Sequence, residues 1–158
     1  TPKVVGSIAD GISGLTELTE LIFSYQEGHD EGPIPAALGS LTRLTTLRLS
    51  FVGLQGGIPE SLSNLVGLTE LSLDENRNLN GSIPSSITRL SRLHKFHLGG
   101  TGVHGILPAG FEEMRELESV SLPANVIIPS GRSRIGELCY ISNSSDNVTA
   151  VYKVCAAP

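Results

Sequence analysis

The chain has 158 residues, a formal net charge of −5 and no run of lysine or arginine. The length is enough for one domain with a sizeable core. The charge argues against nucleic-acid binding, because neutralising phosphates requires a basic face. No stretch of about 20 apolar residues occurs, so the sequence predicts no insertion of this segment into a membrane.

A segment with the pattern L-x-x-L-x-L recurs along the chain, with Phe23, Phe96 and Val120 as apolar substitutes. Successive leading leucines are 26, 24, 25 and 24 residues apart. Alternating apolar positions predict a short β-strand with one buried face. A repeat of this length indicates stacked coils whose strands form a parallel sheet. The segments begin at Leu18, Leu44, Leu68, Leu93 and Leu117.

A second block, led by glycine, precedes each strand segment. Ten residues always separate the Ile or Leu of this block from the next leading leucine, so length varies only after the strands. Fixed spacing indicates packed structure and variable spacing indicates surface loops. The block's x-x-L-x-x-L spacing predicts a short α or 3₁₀ turn. Four blocks carry a proline that starts the return path, namely Pro35, Pro59, Pro84 and Pro108.

The full repeat, L-x-x-L-x-L-x-x-N-x-L-x-G-x-I-P, resembles the plant-specific leucine-rich repeats of receptor-kinase ectodomains and polygalacturonase inhibitors. The resemblance covers roughly residues 4 to 127. It implies an α/β solenoid, a right-handed leucine-rich-repeat superhelix with a parallel β-sheet. In that family an asparagine after the strand bonds neighbouring backbone. Asn76 and Asn125 occupy this position, whereas Gln26, Val52 and Thr101 replace it in the other coils.

The N-terminal end lacks the cysteine-bearing cap usual in that family, and Val4, Gly6 and Ile8 match the tail of a preceding coil. An uncapped end would expose an apolar cross-section of the solenoid. We therefore expect a fragment of a longer solenoid, or an end that a partner or another copy covers. An atypical cap is the third alternative.

The C-terminal part departs from the repeat. Two β-like runs flank Asn-Ser-Ser-Asp-Asn, a turn composition, and predict a hairpin that caps the last coil. The hairpin brings Cys139 near Cys155, and a disulfide closing a loop of about 16 residues would contribute about 3 kcal/mol in the loop-entropy model. The predicted organisation is a solenoid of about five coils over residues 1–127 and a disulfide-stapled cap over 128–158.

Three sequons, at Asn80, Asn143 and Asn147, accompany this even cysteine count. Together they favour a glycosylated protein that is secreted or exposed at the cell surface or wall. The alternative is a cytosolic protein with two free thiols.

The outward positions of the strands are the candidate binding surface, since solenoids usually bind there. Tyr25 and Phe51 hold the same repeat position in adjacent coils and are predicted to form an aromatic anchor. A mixed-charge strip lies beside them, consisting of Arg48, Glu70, Asp74, Glu75, Lys95 and His97. The alternative interpretation is that the aromatics pack under loops and the charges are a solvated face.

Catalytic and metal-binding patterns are weak. The acidic insertion at 26–31 lacks the oxygen spacing of a calcium loop, and His94, His97 and His104 lack further zinc ligands. No nucleophile elbow or paired-carboxylate motif is present. We therefore expect no metal, no cofactor and no enzymatic activity.

The leading functional hypothesis is an extracellular recognition module that binds a protein, peptide or wall glycan through the sheet face. The alternative is a structural subunit of an extracellular assembly or fibre, packed end to end or laterally, which the uncapped N-terminal end suggests. Ice binding, a third hypothesis, requires a regular threonine ladder, and the return-path positions are not regular.

Overall fold

The computed structural model describes residues 12–24, 32–129, 138–143 and 149–154. These residues form a solenoid in which each coil contributes one strand to a main sheet and most add a 3₁₀ turn on the return path. No helix among them is long and apolar enough to cross a membrane. The predicted α/β solenoid is confirmed.

Within the described residues, the main sheet contains seven strands. Their bounds are β1 (Glu20–Ser24), β3 (Thr46–Ser50), β5 (Glu70–Ser72), β7 (Lys95–His97), β9 (Ser119–Pro123), β11 (Leu138–Asn143) and β12 (Thr149–Val154). Their order is β1-β3-β5-β7-β9-β12-β11, and the first five are parallel. The register follows the repeat: Arg48 is opposite Ser72, and Ser72 is opposite His97. Equivalent positions of successive coils therefore form rows across the sheet.

Two smaller parallel sheets form where the chain leaves the main sheet. Their strands are β2 (Gly32–Pro33), β4 (Leu54–Gly56) and β6 (Asn78–Leu79) in one, and β8 (Gly105–Ile106) and β10 (Val126–Ile127) in the other. Each coil thus hydrogen-bonds to its neighbours on two sides, which fixes its spacing in the stack.

The return turns are 3₁₀ rather than α. Their bounds are η1 (Ile12–Gly14), η2 (Ala36–Ser40), η3 (Glu60–Asn64), η4 (Ser85–Arg89) and η5 (Phe111–Glu113). Pro35, Pro59 and Pro84 precede three of them in extended backbone. Each of these turns closes with an i to i+3 bond, such as the Leu41 N–H to the Leu38 carbonyl. Segments of five residues or fewer suit this tighter geometry.

The core is a stack of the repeated apolar positions, most of them leucines with no exposed area. Phe96 takes a leucine position on β7, and its ring lies 5.5 Å from that of Phe111, tilted by 53°. A coil covers its own apolar edge only with its neighbours, so stability comes from stacking.

The predicted C-terminal hairpin is confirmed. β11 and β12 pair antiparallel, and β12 pairs antiparallel with β9, so the hairpin continues the main sheet beyond the last coil. Cys139 and Asn143 lie on β11, of which only the backbone is described, and Cys155 and Asn147 lie outside the described residues. The disulfide and the boundary of the cap therefore stay predictions.

The asparagine position differs in its contacts among the coils in which the structure describes it. Asn76 is fully buried, and its Oδ1 accepts hydrogen bonds from the Val52 and Leu54 backbone N–H groups of the preceding coil. This ladder role is confirmed. The bonds provide acceptors for backbone N–H groups of the coil in which Val52 replaces the asparagine. Thr101 bonds within its own coil instead, donating to the Leu98 carbonyl at 2.7 Å.

The same prediction is wrong for Asn125, which is exposed. The chain takes 14 residues from Leu93 to Leu107 but only 11 from Leu117 to Ile128. The shorter link brings Val126 directly opposite Gly105 in the second sheet. Asn125 therefore lies in the short link between β9 and β10, where it is exposed and not buried as Asn76 is.

Candidate functional site

The side of β1, β3, β5, β7 and β9 that points away from the core is called the strand face. Because these strands are parallel and in register, its side chains form rows that cross the coils about 4.8 Å apart. All the charged residues that the sequence singled out are on it except Asp74 and Glu75, which follow the end of β5. Tyr25 lies outside the described residues.

One cluster joins three charged side chains from two neighbouring rows. Arg48 contacts Glu70 with two parallel hydrogen bonds, Nε to Oε1 at 2.5 Å and a terminal nitrogen to Oε2 at 2.8 Å. Lys95 approaches Glu70 from the other side, with Nζ 3.5 Å from Oε2. The Glu70 side chain is 14% exposed, whereas those of Arg48 and Lys95 are 43% and 47% exposed. The carboxylate thus anchors two cations that remain open to solvent.

This arrangement shifts both titrations of the ion pair. The hydrogen bond from Arg48 lowers the pKa of the Glu70 carboxyl from its ordinary value; partial burial opposes this, and the positive charges of Arg48 and Lys95 reinforce it. The same hydrogen bond, with the Glu70 charge, raises the pKa of the Arg48 guanidinium. The pair is therefore charged in the folded protein at neutral pH.

A pH dependence of stability follows from Glu70. Its pKa is lowered on folding, so its contribution is present above the unfolded glutamate pKa of about 4.3 and is lost as pH falls through the folded value. We expect Glu70→Gln to cost about 1 kcal/mol or less at pH 6, because Arg48 is largely solvated. Urea unfolding at pH 6 and pH 3 should show the gap between the two proteins narrowing at pH 3. A gap that widens in acid would contradict this assignment.

A second cluster at the strand face is built from hydroxyl groups and one carboxylate. Ser50 Oγ lies 3.0 Å from Ser72 Oγ, and Ser72 Oγ donates to Asp74 Oδ2 at 2.8 Å. The Gly99 backbone N–H donates to Asp74 Oδ1 at 2.7 Å. Both oxygens of this carboxylate are therefore held, and its orientation is fixed. Ser72 is only 5% exposed, so it supports the surface more than it presents a contact.

His97 extends this cluster into the fourth and fifth coils. Its Nε2 lies 3.0 Å from Ser119 Oγ, and its Nδ1 lies 3.8 Å from Asp74 Oδ2. The order Asp74, His97, Ser119 is that of a hydrolytic triad, but 3.8 Å exceeds hydrogen-bond length. The arrangement presents hydrogen-bonding groups at the surface and is not evidence for a nucleophile.

Two apolar side chains protrude from the first two coils. Ile22 is 50% exposed and Phe51 is 49% exposed. Phe51 also has a φ of 59°, in the left-handed region that side chains other than glycine seldom adopt. The alternative interpretation, in which Phe51 packs under an adjoining loop, is therefore met at most in part, and half of its surface is exposed.

The next two coils repeat this left-handed position. Glu75 has a φ of 59°, and Gly100 follows with 67°. At Gly100 a Cβ would lie 2.6 Å from Glu75 Cδ, so glycine leaves the room into which the Glu75 carboxylate folds. This left-handed turn gave no signal in the sequence, because only one of the three coils marks it with glycine.

A shallow depression lined by side chains of mixed charge, among them Arg92, His94 and Glu113, lies between the fourth and fifth coils. No group of three or more His, Cys, Asp or Glu side chains in the described part could hold a metal ion.

Comparison with known proteins agrees with this architecture. The family model described as Leucine Rich Repeat matches residues 43–65. The match covers a single repeat, and the chain resembles leucine-rich-repeat proteins. It matches no curated protein, but many solved structures are similar to it.

One similar structure is the ectodomain of the Arabidopsis receptor kinase HAESA in complex with an IDA peptide hormone, with 35% identity and a TM-score of 0.68. Another is the Arabidopsis receptor kinase GASSHO1/SCHENGEN3 ectodomain in complex with CASPARIAN STRIP INTEGRITY FACTOR 2, with 34% identity and a TM-score of 0.68. Each alignment covers 74% of this chain but only 19% and 14% of those proteins. The chain thus spans less than a fifth of the ectodomains it resembles. The identity and the TM-scores support plant receptor ectodomains as its structural relatives.

Proposed function

We propose that this leucine-rich-repeat chain is an extracellular recognition module that binds a peptide or protein across its strand face. The observation that carries the proposal is the polar cluster that extends from Ser50 through Asp74 and His97 to Ser119, with a 3.8 Å step between Asp74 and His97. It lies beside the cluster of Arg48, Glu70 and Lys95. Fixed side chains lose little conformational entropy when a ligand binds, so they favour specific recognition.

The resemblance to ectodomains crystallised with a peptide hormone and with CASPARIAN STRIP INTEGRITY FACTOR 2 supports the same proposal. Two half-exposed apolar side chains, Ile22 and Phe51, lie on the first two coils beside these polar clusters. An apolar contact surrounded by oriented polar groups is the usual composition of a recognition site. We propose binding rather than catalysis, because no reacting constellation accompanies these groups in the described part of the chain.

The test is a comparison of face and control variants. We expect Arg48→Glu and Phe51→Ala each to weaken binding of peptides selected on the wild-type chain, by about ten-fold. Arg89→Glu makes the same charge reversal on η4, away from the strand face, and should bind as the wild type does. Biolayer interferometry measures affinity, and circular dichroism confirms that the variants remain folded.

Unchanged affinity in both face variants would overturn the proposal. A chain that selects no peptide but sediments at a multiple of its own mass would favour the alternative of an extracellular assembly.

Glycosylation and secretion belong to the same proposal. Asn80 is exposed in the link after β6, where its Nδ2 donates to the Asn78 carbonyl at 3.2 Å. That link lies on the side of the second sheet, so a glycan there leaves the strand face open. Asn143 and Asn147 are the other proposed sites.

We expect Asn80→Gln and Ser82→Ala each to remove one N-glycan from the chain expressed through a secretory pathway. Asn64→Gln, which alters an exposed asparagine outside any sequon, is the matched control. Intact mass before and after glycosidase treatment measures the loss. An unmodified Asn80 in the wild-type chain would contradict this site.

A further inference from the structure

Asn80 is the only asparagine of the chain that is followed by glycine. The backbone nitrogen after an asparagine can attack the side-chain carbonyl carbon, Cγ, which is one reason why asparagine is thermolabile in proteins. A side chain on the attacking residue obstructs this approach, and glycine has none. The link after β6 therefore contains the least obstructed pair for this reaction, Asn80 and Gly81.

The structure leaves both reacting groups of this pair accessible. Asn80 is exposed, and its carboxamide donates one long hydrogen bond, from Nδ2 to the Asn78 carbonyl oxygen at 3.2 Å. The Gly81 N–H, which must lose its proton in the attack, donates to no backbone acceptor in the described part of the chain. Gly81 also has a φ of 80°, a conformation that favours glycine, so the fold itself requires the residue that makes the pair reactive.

The other asparagines of the described ranges lack this combination. Asn76 is fully buried, both ends of its amide are hydrogen-bonded, and Arg77 follows it. Asn64 is exposed, but Leu65 follows it. Exposure and a following glycine coincide at Asn80, so Asn64 serves as an internal control for the reaction.

The backbone on either side of the pair joins three coils. The Asn80 N–H donates to the Gly56 carbonyl oxygen of the preceding coil at 2.7 Å, and the Gly81 carbonyl oxygen accepts from the His104 N–H of the next coil at 2.9 Å. An isoaspartate at position 80 would pass the main chain through its Cβ, which inserts an extra atom between these two hydrogen bonds. A change in this link therefore reaches both neighbouring coils.

We propose that Asn80 is a site of spontaneous deamidation in the unglycosylated chain, and that an N-glycan on its Nδ2 prevents this reaction. The Gly81 nitrogen forms a bond to Asn80 Cγ, the bond from Cγ to Nδ2 breaks, and Nδ2 leaves as ammonia with the proton that Gly81 gave up. Water then opens the cyclic imide at either carbonyl and gives isoaspartate or aspartate. A water molecule is consumed, an ammonia molecule is released and nothing is oxidised.

A glycan acts on the leaving group of this reaction. A glycosylated Nδ2 cannot leave as ammonia, and the sugar shields Cγ from attack. The inference goes beyond the proposed recognition of a peptide or protein, and only its protective step rests on the proposed glycosylation of Asn80.

The experiment uses the full 158-residue chain in three forms. One is wild type from bacteria, which carries no N-glycan, and one is wild type secreted from a eukaryotic host. The third is Ser82→Ala secreted from the same host, which keeps Asn80 and Gly81 but loses the sequon. Each is incubated at neutral pH and physiological temperature, in buffer and in urea. Peptide mapping by mass spectrometry then measures conversion of amide to acid at each asparagine.

We expect the bacterial wild type and the secreted Ser82→Ala chain to lose the Asn80 amide at least about ten-fold faster than the Asn64 amide. The secreted wild type should keep its Asn80 amide. In the converted chain, hydrogen exchange at the His104 amide should be faster, because its acceptor lies beside the inserted atom.

The two parts of the proposal fail separately. An Asn80 amide that reacts no faster than that of Asn64 in the folded chain, or that reacts only in urea, overturns the deamidation site. A glycosylated Asn80 that is converted as fast as the unglycosylated one overturns the protection. A secreted wild type without a glycan at Asn80 overturns the glycosylation and the protection together, and the bacterial chain then decides the deamidation.

Discussion

Replacing Asn76 with alanine is expected to lower the free energy of unfolding by about 3–5 kcal/mol. The Asn76 side chain is fully buried and satisfies two N–H groups of the second coil, at 3.1 and 3.2 Å. Its Nδ2 donates to the Leu49 carbonyl at 2.7 Å and to the Leu73 carbonyl at 2.8 Å. Alanine leaves these groups buried without partners, and each such loss costs about 1–3 kcal/mol.

Asn125→Ala is the matched control for this prediction, because it removes the same side chain from the same repeat position but from an exposed site. We expect it to change stability by no more than about 0.5 kcal/mol. Urea unfolding measures both variants, and hydrogen exchange at the Val52 and Leu54 amides reports the loss locally. Equal costs for the two substitutions would show that the buried amide does not link the coils.

This contrast shows what repeat arithmetic can and cannot predict. The strands, the return turns and the buried leucines follow from spacing alone, because each coil contacts only its neighbours. The link lengths are also visible in the sequence, yet the shortened fifth coil displaced Asn125 from the role that counting from the strand predicted. A repeat position has a fixed environment only while both flanking spacings are kept.

The candidate site shows a different limit. Alternation predicts which charged residues share a face, and the structure places Arg48, Glu70 and Lys95 together. It does not predict which of them neutralise one another, because that depends on side-chain rotamers across coils. Nor does it predict that Phe51 and Glu75 adopt left-handed backbone, since neither residue type favours it.

These two limits meet at the surface we propose as functional. Arg48 forms an ion pair with Glu70. Asp74 accepts hydrogen bonds from the neutral Ser72 and Gly99 and lies 3.8 Å from the His97 ring. The difference between the two carboxylates is one of partners and not of residue type. The Arg48–Glu70 pair links two coils and stabilises the stack. Asp74 is instead held by its two hydrogen bonds.

Replacing Gly39 with alanine is the second large effect, with an expected loss of about 3 kcal/mol in the free energy of unfolding. Gly39 is buried on η2, where a Cβ would lie 2.4 Å from the Ser61 carbonyl oxygen and 2.9 Å from its carbonyl carbon. The obstacle is backbone of η3, so no side chain can move aside. The two coils must separate locally, which weakens the contacts that hold the stack together.

Gly14→Ala separates this steric effect from helix propensity. Gly14 also lies on a 3₁₀ turn, η1, but a Cβ there would meet nothing within 4 Å. Alanine at that site should leave stability unchanged or raise it by up to about 1 kcal/mol, because it restricts the unfolded chain. Thermal and urea unfolding of both variants measure the difference. If Gly39→Ala were as stable as Gly14→Ala, the contact between η2 and η3 would not set the spacing of these coils.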